Sequence, residues 1–244
     1  MRNWTFVSRL GFSMATMLAL TGVPAFAQSF EFVVKKDQVF GASDGTLVFG
    51  VDSVEYRTAE TDDARQWAYD DIKQIQVLSP TRITVKTYED QGLLRLGADR
   101  TFDFALTEGR VSPDLVAFLW DHVEPPVVAA VFPEAGGPSG QSVPVKFRQR
   151  LRGSDGMLQL YDDRLVYMTD RVEHGRAWRP ADVRTVYQPD RHRLNIDVYE
   201  GGGDRTRTFS FELKRPLPAG FLDSMWRWVH TPSMPHIPNR EALR

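Results

Sequence analysis

From Gly41 onward, apolar and polar residues alternate largely with a period of two, the spacing that puts one set of side chains on each face of a β-strand. Leu47 and Phe49, then Val54 and Tyr56 across an Asp-containing turn, predict a hairpin. Leu158 and Leu160, then Leu165 and Tyr167 across Asp162-Asp163, predict another. Ile83 and Val85, Leu194 to Val198, Phe102 to Leu106 and Phe209 to Leu213 continue the pattern. The period changes to that of a helix only after the strands. Leu115, Phe118, Leu119, His122 and Val123 share one helical face behind Ser112 and Pro113, and Phe221, Met225, Trp228 and Val229 share another behind Pro218. The two halves are one pattern written twice. Ser43-Asp44-Gly45, Leu47, Asp52, Tyr56, Thr58, Arg65, Trp67, Asp71 and Tyr88-Glu89 recur 111 positions later as Ser154-Asp155-Gly156, Leu158, Asp163, Tyr167, Thr169, Arg176, Trp178, Asp182 and Tyr199-Glu200. A register held without a gap over this length predicts one fold used twice. The expected fold class is mainly β: two tandem small β-barrel or sandwich repeats of about seven strands, each closed by a C-terminal α-helix.

The ends and the linker divide the chain further. Residues 1–27 carry Arg2 and Arg9, a short apolar run and Ala25-Phe26-Ala27, and predict a secretory signal peptide, hence a periplasmic or secreted product with no transmembrane segment after cleavage. Repeat 1 is expected over 28–128, a linker over 129–142, repeat 2 over 143–232 and a disordered tail over 233–244. Val127 to Phe132 is apolar enough to form an extended strand on a neighbour, whereas Pro133 to Gln141 reads as flexible. The absence of cysteine from the sequence excludes disulfides and thiolate metal sites. Charge separates by half, with 10 Lys and Arg against 18 Asp and Glu in 28–128 and 16 against 12 in 143–232. The basic half can steer an anionic partner or dock on the acidic one.

A strand meander closed by one helix, with the order Gly-x-Leu-x-Phe/Leu, a Val/Leu-x-Tyr pair, and Trp followed by Asp-Ile/Val, resembles the bacterial branch of the pleckstrin-homology-like superfamily, including GRAM-like domains. The resemblance implies binding of anionic lipids, peptides or protein partners, without choosing among them. In lipid-binding relatives the first hairpin carries spaced basic residues, which here match Lys146, Arg148, Arg150 and Arg152, alternating with Val145, Phe147 and Leu151. The first repeat departs from this pattern, with adjacent Lys35-Lys36 followed by Asp37.

The basic stripe is therefore the candidate site, serving either an anionic ligand or docking between repeats. Leu93, Leu94 and Leu96, in a loop longer than its counterpart at Gly201-Gly202-Gly203, are a candidate apolar contact. Trp67 and Trp178 are expected in the core, and Ser-Asp-Gly in turns. No catalytic residues, metal ligands or cofactor are expected: Asp62-Asp63 and Asp70-Asp71 are sequence neighbours, and the five histidines lack ligand spacing. The reading is a non-catalytic binding or assembly module with a protein or envelope partner, peripheral contact with an anionic surface, and no nucleic acid. The alternative is a lipocalin-like barrel that carries a lipid or other apolar ligand.

Overall fold

The computed structural model of the protein describes residues 28–37, 42–90, 99–124, 126–134, 140–149, 153–201 and 205–231. The expected signal peptide, the tail, Leu93, Leu94, Leu96, Arg150 and Arg152 lie outside the described residues.

The chain is mainly β. Strands β1 (Phe30–Asp37), β2 (Ala42–Phe49), β3 (Ser53–Thr58), β4 (Arg65–Ala68), β5 (Ile72–Ser79), β6 (Arg82–Asp90) and β7 (Asp99–Leu106) are followed by helix α1 (Pro113–His122). A short strand β8 (Val127–Ala129) leads to β9 (Gln141–Phe147), β10 (Ser154–Leu160), β11 (Leu165–Thr169), β12 (Arg176–Trp178), β13 (Val183–Asp190), β14 (Arg193–Val198) and β15 (Arg207–Leu213), and then to helix α2 (Phe221–His230). The strand order across the sheet is β13-β14-β15-β9-β10-β11-β12-β8-β5-β6-β7-β1-β2-β3-β4. The same seven-strand order thus stands on either side of β8. Pairing registers keep the spacing found in the sequence: Leu47 faces Tyr56 and Val54 faces Trp67, while Leu158 faces Tyr167 and Leu165 faces Trp178.

Where the sequence predicts two separately closed units, hydrogen bonding runs on through β8 to make one fifteen-stranded sheet. β8 lies parallel to β5, with Ile75 opposite Val127 and Val77 opposite Ala129, and antiparallel to β12, where Ala129 faces Ala177. The apolar run after α1 therefore becomes a strand buried between the two halves.

Each half has its own apolar cluster. Val34, Leu47, Phe49, Tyr56, Trp67, Phe104, Leu115 and Leu119 belong to the first, and Val145, Leu158, Tyr167, Trp178, Phe209, Phe211, Phe221 and Met225 to the second. Both tryptophans are buried, as their recurrence beside apolar strand residues predicts. Ring contacts continue the correspondence: Trp67 lies 4.7 Å from Phe102 and Trp178 lies 5.0 Å from Phe209. Helix α1 starts where Pro113 at its first turn fits, because that position has no intrahelical use for an amide hydrogen. Helix α2 starts at Gly220, whose φ of 76° is in the left-handed region that only glycine adopts cheaply.

The Ser-Asp-Gly copies are not turns. Both lie inside strands, β2 and β10, where the backbone and the tyrosine ring of the next strand come too close for a side chain. A Cβ on Gly45 would sit 2.4 Å from the Arg57 carbonyl oxygen and 2.6 Å from the Tyr56 ring, and one on Gly156 would sit 2.2 Å from the Met168 carbonyl oxygen and 2.7 Å from the Tyr167 ring. The tyrosine hydroxyls then donate to the carbonyls of Ser43, at 2.9 Å, and Ser154, at 2.7 Å. What reads as turn chemistry is clearance for the next strand's backbone and its buried ring.

Candidate functional site

Two polar clusters recur in the cores, and no local sequence pattern marks either, since their partners stand 20 to 27 positions apart. In the first half, Ser43 donates to Asp63, which also pairs with Lys36, and the lysine ammonium lies 5.0 Å from the centre of the Tyr56 ring. Lys36 shares strand parity with Val34, so it points inward and is buried rather than forming a basic pair with exposed Lys35. In the second half Phe147 occupies the place of Lys36 and His174 that of Asp63. Nδ1 of His174 lies 2.9 Å from the Ser154 hydroxyl, and its ring packs edge-on against Phe147 at 5.7 Å. An ion pair in one half is a neutral, aromatic arrangement in the other. Ser154 and His174 are both buried.

Burial lowers the His174 pKa, and Arg171, Arg176 and Arg207 act in the same direction against Glu173. A histidine whose folded pKa lies below its unfolded value of about 6.5 stabilises the fold fully above that value, and the contribution is lost as pH falls through the interval below it. Unfolding in urea should therefore show stability falling as pH drops below about 6.5, with His174→Gln flattening that fall relative to the parent. An unchanged slope in the variant would remove His174 from the account.

The second repeated cluster joins the tryptophan to the glutamate 22 positions later. Trp67 Nε1 donates to Glu89 at 2.6 Å and Trp178 Nε1 donates to Glu200 at 2.9 Å. Here too the halves differ. Glu89 pairs with half-exposed Arg100 at 3.4 Å, whereas Glu200 is buried with Arg176, 3.2 Å away and equally buried, and reaches Arg207 at 3.5 Å. The Arg176 guanidinium also donates to the carbonyls of Glu173 and Gly175, which leaves it held on several sides.

A third polar group lies across β8. Arg179 donates to the carbonyls of Trp120, at 3.0 Å, and Val123, at 3.3 Å, the free carbonyl end of α1, while pairing with buried Asp182 at 3.1 Å. Arg164 lies 4.8 Å from the centre of the Trp120 ring and donates to the carbonyl of Pro133. From the other side, Gln74 donates to the carbonyl of Tyr199 at 2.9 Å and accepts from Lys86 at 3.0 Å. Desolvation lowers the Lys86 pKa, opposed by Asp103, Asp99 and Glu200. The basic second half thus grips the first through Arg164 and Arg179, neither of which belongs to the predicted stripe.

Of that stripe, Lys146 and Arg148 are described, and both are exposed while Val145 and Phe147 point inward, as the alternation predicts. Lys146 stands in register between Asp155 and Glu212. Arg148 pairs with Glu212 at 2.9 Å and Lys214 pairs with Asp155 at 2.6 Å. The Lys214 hydrogen bond holds the fully exposed Asp155 carboxyl below the usual carboxylate range. The face is a mixed-charge ladder of the second half's own residues. Among the described residues no group of histidine, aspartate and glutamate has metal-binding geometry, and no helix is long and apolar enough to cross a membrane.

No protein-family model matches the chain, and no curated protein matches it. Among solved structures, the chain is similar to that of the Spt16D Pob3N heterodimer, at 9% identity and a TM-score of 0.29, covering 71% of this chain and 85% of that one.

Proposed function

We propose that the protein is an exported, non-catalytic binding and assembly module made of two pleckstrin-homology-like units, which meets an anionic surface or envelope partner through its second half. The observation that carries this reading is the division of labour among basic residues. Arg164 and Arg179 hold the halves together. Lys146 and Arg148 remain on an exposed strand face, where their only described acidic neighbours are exposed as well. An exposed ion pair contributes little and is readily exchanged for an external anion. The inward positions of both halves are filled by tryptophan, tyrosine and phenylalanine, which favours a module over the carrier of an interior apolar ligand.

The test is co-sedimentation of the chain from Gln28 to Arg244 with vesicles rich in phosphatidylglycerol, against neutral phosphatidylcholine vesicles. Binding to the anionic vesicles should weaken with salt, and changing Lys146 and Arg148 together to Ala should reduce it by roughly thirtyfold, at about 1 kcal/mol per basic residue. Equal sedimentation with both vesicles, or an unaltered double variant, would refute the reading.

A further inference from the structure

The two halves differ where α2 meets the start of β9. A cleft of about 560 Å³ opens there, lined by Gln141, Leu160, Tyr161, Pro180, Ser224 and Trp228 among others. The first half closes the same place with aromatic rings. Phe30 faces Phe49 across β1 and β2, as Gln141 faces Leu160 across β9 and β10. Tyr69 stands where the second half has Pro180, and its hydroxyl donates to the Gly50 carbonyl at 2.7 Å. The helices align through their fully buried anchors, Leu115 and Leu119 with Phe221 and Met225, which sets Phe118 against Ser224. The Phe118 ring lies 5.3 Å from Phe30 and completes the plug. Four bulky side chains, Phe30, Phe49, Tyr69 and Phe118, are thus replaced by Gln141, Leu160, Pro180 and Ser224. At the rim the change runs the other way, with Tyr161 in place of Gly50.

We infer that this cleft is a binding site for a flat ring of phenol to indole size that carries an O–H or N–H donor. Its volume falls in the range of small-ligand pockets, and the space vacated is that of aromatic side chains. The donor requirement comes from Gln141, whose Oε1 is buried and has no hydrogen-bond partner among the described residues. A buried amide oxygen without a donor is costly, and a ligand that supplies one removes the cost. The aromatic wall is fixed in place, since Trp228 Nε1 donates to the Asp162 carbonyl at 3.1 Å and Tyr161 donates to Gln159 at 3.3 Å. The site goes beyond the proposed anionic contact, from which it differs in residues and in ligand chemistry.

Titration of the full chain with phenol, indole and toluene, followed through the Trp228 indole N–H by NMR, tests it. Phenol and indole should shift that resonance saturably, and toluene should bind about fivefold more weakly for want of the hydrogen bond. Ser224→Phe, which rebuilds part of the plug, should abolish the shift while leaving thermal stability the same or higher. Gln141→Met should keep binding but lose the preference for phenol over toluene. The inference is overturned by the absence of a saturable shift at millimolar phenol and indole, by binding that survives Ser224→Phe in a folded variant, or by toluene binding as well as phenol to the parent.

Discussion

Glu200→Ala is expected to destabilise the protein by about 3–5 kcal/mol, because it strips a buried arginine of its charge partner and leaves the guanidinium uncompensated in the core. Arg176 is buried beside Phe209, and its remaining partners are backbone carbonyls, which do not balance its charge. Trp178 would lose the acceptor for its indole N–H as well. The corresponding change in the first half, Glu89→Ala, is expected to cost about 1–2 kcal/mol, since half-exposed Arg100 can turn to water and only the Trp67 hydrogen bond is lost. Urea unfolding of the two variants in parallel gives the comparison. Equal losses would mean that the buried arginine is solvated in some way that its contacts do not reveal.

The second large effect belongs to Arg179. Arg179→Ala should weaken the association of the halves and cost about 3 kcal/mol, because two carbonyls at the end of α1 lose their donor and buried Asp182 loses its cation. Asp182 keeps the backbone hydrogen bond from residue 179 at 2.9 Å, so the local turn should survive. The loss should therefore fall on coupling: the parent is expected to unfold in a single calorimetric transition, which should broaden or split in the variant. The first half offers an internal control. Its matching turn has Ala68 at this position, with Asp71 accepting only the backbone amide at 3.2 Å, so a change at Ala68 should leave coupling intact. A sharp single transition at unaltered temperature in Arg179→Ala would show that β8 alone couples the halves.

Much of the architecture could be read from the chain because it rests on local parity and on repetition. Strand period placed Leu47, Tyr56, Leu158 and Tyr167 inward, and the constant offset carried each pairing from one half to the other. Lys36 followed the same parity, although its charge argued for the surface; its burial depends on Asp63, 27 positions away, which no local pattern displays. The Ser-Asp-Gly segments look like turns because their composition is that of turns, while the reason for the glycine, the close backbone and tyrosine ring of the next strand, is a tertiary contact. The recurrence of Glu89 and Glu200 was visible, but not their pairing with the tryptophans. Val127 to Phe132 was legible as an extended segment, yet its two partner strands are set by long-range pairing. Lys146 and Arg148 lie on an outward face because strand parity, a local property, puts Val145 and Phe147 inward. The cleft beside α2 arises where the repeats differ, so the residues that recur between them do not mark it.

Strand β8 also bears on the order in which the molecule can be assembled. A chain synthesised from its N-terminus reaches β8 with β5 already made, so one edge of β8 can pair at once. The other edge must wait for Ala177, 48 positions later. During that interval the growing chain presents an unpaired strand edge, the feature through which nascent proteins most readily stick to one another. β8 keeps that exposure small by being three residues long, with Pro126 directly before it. A longer, continuous β-branched strand at this position would bind the two halves more firmly once complete, at the cost of a more adhesive nascent chain.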